Sequence, residues 1–208
     1  MQLEINILEN PIFNSNCYLL TDKDLGEAII IDPASERSER EKEFLEKNGL
    51  KLAYIILTHG HVDHAWGANS LKEANPGAKL VYSKDFAGDL YTSKFFLRLV
   101  CNDNNYDFAV KPADIIAENN KKLFWGEHKI VFILTPGHSP GSMCIDIDCI
   151  VFTGDTIMQF RQFTKAKDFN MDEYKSSVAL IKSIYPTNTL IYPGHGESTF
   201  LENCLNIM

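Results

Sequence analysis

Residues 58–64 constrain this chain more than any other stretch of its sequence. They read Thr-His-Gly-His-Val-Asp-His and directly follow the apolar run at residues 52–57. Three imidazoles and a carboxylate this close together suit neither a packed core nor an ordinary solvated loop. Zinc and other first-row metals accept both groups as ligands, at about 2.0 to 2.2 Å. A single histidine is usually structural or exposed, but four potential ligands within six positions indicate metal binding.

The spacing within this segment predicts how its side chains divide. His59 and His61 are two positions apart, so on an extended segment they point to the same side and can chelate one ion. Asp63 and His64 are adjacent in sequence and do not easily share that geometry. The segment therefore predicts a second ion beside the first.

Three further candidate ligands lie downstream, each in a loop that contains glycine and follows an apolar run. They are His138, Asp155 and His195, which follow the runs at residues 130–134, 149–151 and 189–191. Open sheets carry their ligand sites in loops at the ends of strands. The neighbouring glycines let the backbone pass close to a metal or adopt a positive φ. The candidate ligands are therefore predicted to lie at the strand ends where a sheet carries its ligand site.

The ordered set His-x-His-x-Asp-His, Pro-Gly-His, Gly-Asp-Thr and Gly-His-Gly resembles the metallo-β-lactamase-fold superfamily. Within it, the chain is most similar to glyoxalase II-like, or hydroxyacylglutathione hydrolase-like, hydrolases. The resemblance extends from residues 16–19 and the Asp32-Pro33 turn to Gly196. It implies an α/β fold, an αβ/βα four-layer sandwich in which two mixed sheets carry helices on their outer faces. Residues 1–208 are expected to form a single domain.

The resemblance also implies a ligand set for each of two divalent ions, with Zn²⁺ expected and Fe²⁺ or Mn²⁺ as alternatives. One ion would be held by His59, His61 and His138, the other by Asp63, His64 and His195, and Asp155 would bridge them. A hydroxide between the ions would attack a thioester or related ester. The implied catalytic residues are Asp63, which would orient the hydroxide, and Asp155, which would fix the separation of the ions.

Substrate recognition is less constrained by the motifs. Residues 84–118 are rich in aromatics and are predicted either to pack peripherally on the body or to form a lid over the metal cleft. Candidate substrate contacts are Tyr91, Phe160, Arg161 and Lys165. Glyoxalase II enzymes continue past the last histidine into a region with cationic groups for glutathione, whereas residues 198–208 here contain no Lys or Arg. The departure favours a smaller thioester or ester.

Three other functions remain open for the same residues. Persulfide dioxygenases share these positions but use a single Fe²⁺ held by two histidines and one aspartate. N-acyl homoserine lactonases are another hydrolytic alternative. A metal-binding domain without catalysis is least favoured, because structural zinc sites are usually closed sets of four ligands and seven candidates leave coordination open.

Composition limits the partners. The formal net charge of −8, from 28 acidic and 20 basic residues, leaves no basic footprint for nucleic acid, so a small-molecule substrate is expected. No apolar run reaches membrane-spanning length, and the N-terminus lacks the basic and apolar regions of a signal peptide. Five cysteines without a Cys-x-x-Cys pair are typical of free thiols. A cytoplasmic location is predicted.

Apolar runs and turn residues predict alternating strands and helices. Strands are predicted at residues 3–8, 16–21, 27–32, 52–57, 78–82, 130–134, 143–147 and 149–153 and near residue 189, the first three as an antiparallel meander. Helices are predicted at residues 35–47, 65–73 and 172–184, with a short one from residue 198. Cys17, Cys144 and Cys149 are predicted to be buried. His128, which lacks the setting of the other histidines, is predicted to be an exposed turn residue.

Overall fold

The computed structural model describes residues 3–86, 98, 101–103, 108–159 and 168–204, which form two six-stranded sheets. In spatial order the first sheet contains β1 (Leu3–Glu9), β2 (Asn16–Asp22), β3 (Glu27–Ile31), β4 (Lys51–Ile56), β5 (Lys79–Ser83) and β6 (Ile115–Ala117). The second contains β12 (Thr199–Phe200), β11 (Leu190–Pro193), β10 (Ile150–Gly154), β9 (Met143–Ile147), β8 (His128–Leu134) and β7 (Lys122–Trp125). Strands β1 to β3 are antiparallel, as predicted, and β3 to β6 are parallel. In the second sheet only β10 and β11 pair in parallel.

The described helices are α1 (Glu39–Asn48), α2 (Val62–Ala65), α3 (Ala68–Ala74) and α4 (Met171–Ile184), followed by a 3₁₀ turn at Leu201–Cys204. Helix α1 begins later than predicted because Ser38 adopts a left-handed φ of 47°. The predicted helix at residues 65–73 is divided at Gly67, whose N–H donates to the Pro33 carbonyl. Helix α4 begins where predicted, because the Asn170 side chain caps its first turn.

Sequence periodicity missed the shortest elements. Strands β6, β7 and β12 contain three, four and two residues, too few to show an alternation of apolar and polar side chains. The short helix predicted from residue 198 starts later than predicted, because residues 199–200 form β12, and it is the 3₁₀ turn at Leu201–Cys204.

Alternating side chains on the strands build the layers. On β2, Tyr18 and Leu20 face a core shared with the second sheet, whereas Cys17 and Leu19 face a core shared with α1 to α3. A third core joins the opposite face of the second sheet to α4. The order is therefore helices, sheet, sheet, helix, and the predicted four-layer sandwich is confirmed.

Cysteine burial follows this layering only in part. Cys17 and Cys144 are buried, as predicted, but Cys149 is exposed. Cys149 lies in the tight turn between β9 and β10 and has a φ of 70°, so its side chain points away from the core. Among the described residues, no helix is long and apolar enough to cross a bilayer.

The prediction that His128 is an exposed turn residue is wrong. The residue is buried, and its ring lies between two carboxylates: Nδ1 is 2.6 Å from Asp148 Oδ2, and Nε2 is 2.9 Å from Asp22 Oδ2. Asp22 ends β2 in the first sheet, so the imidazole joins the two sheets. Burial lowers the pKa of His128, but hydrogen bonds to Asp148 and Asp22 outweigh that effect and raise it. The raised pKa extends the pH range over which His128 is a charged link between the sheets.

Replacing His128 by phenylalanine is expected to destabilise the metal-free protein by about 3 kcal/mol at pH 5.5, because the buried Asp22 loses its charged partner. Since the pKa of His128 is raised on folding, its contribution is complete below the unfolded-state pKa of about 6.5. The contribution is lost as the pH rises through the higher folded-state pKa. Urea unfolding at pH 5.5 and pH 9 should show the larger difference from wild type at pH 5.5. A difference that does not depend on pH would contradict a charged His128.

Candidate metal centre

Four segments that follow strands carry the predicted ligands. After β4, His59 and His61 lie in a loop and Asp63 and His64 on helix α2, and the loops after β8, β10 and β11 carry the other three. Strands β8, β10 and β11 run in the same direction, and the Met143 N–H at the start of β9 donates to the Thr58 carbonyl after β4 at 2.9 Å, so these strand ends lie at the same edge of the sandwich. The structure brings together all seven predicted side chains.

The first group consists of His59, His61 and His138, whose candidate ligand atoms all lie within 4.8 Å of one another. His61 Nδ1 is 3.1 Å from His59 Nε2 and 3.0 Å from His138 Nε2. The nitrogens of three rings from two loops thus converge on one point.

The second group consists of Asp63, His64 and His195. His195 Nε2 is 3.3 Å from His64 Nε2 and 3.3 Å from Asp63 Oδ2. Asp63 Oδ2 is also 3.6 Å from His64 Nε2. Asp63 and His64, which are adjacent in the sequence, therefore belong to the same group, and His59 and His61 belong to the other.

Asp155 lies between the two groups. Its Oδ2 is 3.5 Å from His138 Nε2 in the first group and 3.7 Å from His195 Nε2 in the second. Its Oδ1 is 3.5 Å from His64 Nε2. The carboxylate thus reaches both groups, as a shared ligand must.

The spacing of these atoms fits metal ions. Ligand nitrogens held about 2.0 to 2.1 Å from a tetrahedral ion are about 3.3 Å apart, close to the separations within both groups. Imidazole nitrogens that face each other at 3.0 to 3.3 Å need a proton or a cation between them. The donor set of imidazole and carboxylate therefore suits two divalent ions.

Hydrogen bonds on the far side of each ring orient the histidines toward the centre. His64 Nδ1 lies 3.1 Å from Asp32 Oδ2, and His61 Nε2 lies 2.9 Å from Asp168 Oδ2. His195 Nδ1 donates to the Asn14 carbonyl at 3.0 Å. Such bonds fix the tautomer and leave the other nitrogen for a metal.

Asp32 is close enough to His59 and His64 to form a third potential metal group. Its carboxylate, however, already accepts hydrogen bonds from the Thr58 backbone N–H at 2.7 Å and from Thr58 Oγ1 at 2.6 Å. With His64 Nδ1 as a third partner, Asp32 is an orienting group rather than a ligand. The sequence contained a signal for it, because Asp32 follows an apolar strand as the candidate ligands do. Asp168, in a segment without periodicity, offered none.

Burial and neighbouring charges shift the pKa values of the histidines in the centre. Burial lowers the pKa of His64, but Asp155, Asp63 and Asp32 outweigh burial and raise it to about 10. Burial and the neighbouring imidazoles hold the pKa of His59 well below its usual value. Without a metal the cluster therefore holds a proton on His64, and metal binding must displace it.

Gly194 allows the last ligand loop to approach the others. A Cβ at this position would lie 2.1 Å from Asp155 Oδ1 and 2.7 Å from His64 Cε1. The expectation that glycine beside a ligand permits close approach of the backbone is confirmed here.

The substrate contacts predicted from sequence, Tyr91, Phe160, Arg161 and Lys165, lie outside the described residues. The segment at residues 84–118 is described only in part. Its Phe86 is buried and stacks on Tyr82, with ring centroids 4.3 Å apart, and Phe108 is buried as well. These two rings anchor the ends of the segment to the body, and its role as a lid stays a prediction.

The family model of the metallo-beta-lactamase superfamily matches residues 10–195, which include all seven candidate ligands. The chain belongs to this superfamily. Most of its members are metal-dependent enzymes, so the coarse class is a metal-dependent hydrolase or oxidoreductase.

Relatives within the metallo-beta-lactamase superfamily include both kinds of enzyme. The mitochondrial persulfide dioxygenase ETHE1 of Homo sapiens is 26% identical over 199 residues, which cover 91% of this chain and 67% of the human protein. A probable polyketide biosynthesis zinc-dependent hydrolase, BaeB of Bacillus velezensis, is 27% identical over 192 residues, or 89% of this chain and 75% of BaeB. The crystal structure of TTHA1623 in a di-iron-bound form matches with a TM-score of 0.78 at 22% identity, covering 97% of this chain and 98% of that one. This structural match shows the shared fold.

Proposed function

We propose that this protein is a dinuclear metal-dependent hydrolase of a thioester or related ester, with glyoxalase II-like chemistry. One observation carries the proposal: Asp155 Oδ2 lies within 3.7 Å of a nitrogen from each of two otherwise separate groups of three ligands. A centre that holds one ion with two histidines and one aspartate would leave the other ligands of the two groups unused.

The proposed ligands are those of the two groups. His59, His61 and His138 would hold one ion, Asp63, His64 and His195 the other, and Asp155 would belong to both. When bound, two such ions supply Lewis-acid polarisation of a carbonyl oxygen and a water of lowered pKa. Zn²⁺ is the expected metal, and the same nitrogen and oxygen donors accept Fe²⁺ and Mn²⁺.

Differences in exposure indicate the side from which substrate approaches. The side chain of His64 is fully buried and that of Asp155 is 8% exposed, whereas Asp63 is 25% and His195 is 23% exposed. Asp63 and His195 therefore form the open face of the centre. At this face the Asp63 carboxylate can accept a hydrogen bond from the attacking water and orient it.

The substrate class follows from the leaving group. Attack of water on a thioester carbonyl breaks the carbon–sulfur bond, and the electron pair leaves on sulfur as a thiolate. A thiolate is stable near neutral pH, so this reaction needs no dedicated general acid beside the leaving group. The carboxylates and imidazoles of the described centre suit metal binding and orientation of water. A thioester requires only these two roles, because its thiolate needs no general acid. An N-acyl homoserine lactone is the alternative hydrolytic substrate.

A second candidate is a persulfide dioxygenase, favoured by the 26% identity to the human enzyme of that name. The name of BaeB, a zinc-dependent hydrolase, supports hydrolysis to a similar degree. Persulfide dioxygenases share these ligand positions, so the ligand list does not separate the two candidates; we favour hydrolysis because Asp155 lies within reach of both ligand groups, as a two-ion centre requires. The proposal also includes a small-molecule substrate rather than a nucleic acid, in keeping with the net charge of −8. It includes a cytoplasmic location, in keeping with the five free cysteines.

Turnover without oxygen separates the two candidates. The reconstituted protein is expected to cleave acyl thioesters, among them S-lactoylglutathione and shorter analogues, equally well in air and under argon. Thiol release is measured with a chromogenic thiol reagent, and acyl homoserine lactones are assayed in parallel. The rate should fall at low pH as protons compete for the ligand histidines. Oxygen uptake with glutathione persulfide, without anaerobic cleavage of any thioester or lactone, would establish the dioxygenase instead.

A further inference from the structure

The last ligand loop of the second sheet is held by the second strand of the first sheet. Asn16 Nδ2 lies 2.7 Å from the Gly196 carbonyl and 3.0 Å from the Pro193 carbonyl. The Asn16 backbone N–H donates to the Gly194 carbonyl at 2.7 Å. One asparagine thus binds the backbone on both sides of His195.

Tyr18 completes this contact. Its hydroxyl donates to the Pro193 carbonyl at 2.5 Å and accepts from Asn16 Nδ2 at 3.1 Å. Asn16 is 4% exposed and Tyr18 is 2% exposed, so water does not compete for these hydrogen bonds. The rings of Phe152 and Tyr192 pack edge-on against Tyr18, with centroids 5.1 and 5.6 Å away, and limit its movement.

The segment before Asn16 fixes His195 itself. The Asn14 carbonyl accepts from His195 Nδ1 at 3.0 Å, and Ser15 forms an isolated β-bridge with His195. Strand β11 ends at Pro193, and the hydrogen bonding of its own sheet continues only to the Gly194 N–H, which donates to the Gly154 carbonyl at 2.8 Å. The position of His195, one residue further on, therefore also depends on residues 14–18.

We propose that Asn16 and Tyr18 are positioning residues that set the affinity of the second ion, the one assigned to Asp63, His64 and His195. The inference rests on the two-ion centre of the proposed function. By fixing residues 193–196, they hold His195 Nε2 at 3.3 Å from its two partners in that group. The first group takes its ligands from other loops, so its ion is affected little. Loss of a partner that orients a ligand typically lowers metal affinity by roughly 10- to 100-fold.

The test compares stepwise Zn²⁺ affinity of the full chain, measured by competition with a chromophoric chelator. In Asn16→Ala one of the two equivalents is expected to bind roughly 10- to 100-fold more weakly than in wild type, with the other little changed. Tyr18→Phe, which removes only the hydroxyl, is expected to give a smaller loss in the same step. Asp168→Asn is the matched control, because Asp168 contacts His61 of the other group, and it should weaken the other equivalent instead.

Two results would overturn the inference while leaving the two-ion centre intact. One is that neither of the two affinities changes in Asn16→Ala or in Tyr18→Phe. The other is equal weakening of both equivalents, which would indicate a general structural role, checked by urea unfolding of the metal-free variants. Should Asn16→Ala fail to fold, Tyr18→Phe decides by the same criteria. A wild-type protein that binds a single equivalent would overturn both this inference and the proposed dinuclear function.

Discussion

Replacing Asp155 by asparagine is expected to lower kcat for thioester hydrolysis on the order of 10³-fold, because several kcal/mol of metal-derived stabilisation depend on it. The substitution preserves shape but removes the charge that reaches His138 on one side and His195 on the other. The neutral amide is a poor shared ligand for two cations. Steady-state kinetics and elemental analysis of the reconstituted variant would measure both effects.

Asp172→Asn is the matched control for Asp155→Asn. It makes the same chemical change at an exposed position in the first turn of α4, and it should leave kcat within about twofold of wild type, as surface substitutions usually do. An Asp155→Asn variant that keeps two ions and a kcat within tenfold of wild type would contradict the bridging role of Asp155.

Gly194→Ala is expected to be the second most damaging substitution. The added methyl group would lie 2.1 Å from Asp155 Oδ1 and 2.7 Å from His64 Cε1, and His64 is tied to Asp32. Relief of this overlap must displace the carboxylate or the loop that carries His195. We expect a loss of about 1 to 3 kcal/mol in unfolding free energy, as for overpacking elsewhere. Because a 1 Å misplacement can reduce catalysis about 10²-fold, kcat should fall by at least that factor.

Gly77→Ala provides the control for Gly194→Ala. A Cβ on Gly77 would have no heavy atom within 4 Å, and this glycine does not have a positive φ. Stability and kcat should therefore stay close to those of wild type. If Gly194→Ala behaved like Gly77→Ala, with full metal content and activity, the loop at residues 193–196 could not pack on the ligands as described.

The sequence predicted for a physical reason that the candidate ligands converge, whereas the fold and the division into two ligand sets were implied by the resemblance to the superfamily. Each candidate directly follows a buried strand, and strand ends at one edge of a sandwich converge in space. Four short motifs, such as Gly-Asp-Thr at Asp155, therefore indicate which residues that are distant in sequence lie close together in the fold. The structure places these side chains together, while their assignment as ligands awaits metal analysis.

Residues that act across the two sheets could not be predicted in this way. Asn16 lies on an apolar strand and binds residues 193–196 through contacts more than 170 positions apart in the sequence. His128 was predicted to be exposed because it lacks the strand-end setting of the other histidines, yet Asp22 of the other sheet makes its burial favourable. Periodicity reports which face of a strand is apolar. It does not report which polar group on one sheet meets a given group on the other.

The most direct test of a dinuclear centre is the metal content of the purified protein. The account predicts two equivalents of Zn²⁺, Fe²⁺ or Mn²⁺ per chain after reconstitution and removal of loosely bound metal, measured by elemental analysis. The Asp155→Asn variant should retain fewer than two under the same conditions. One equivalent or less in the wild-type protein, with each of the three metals, would contradict the proposal that Asp155 joins two metal sites.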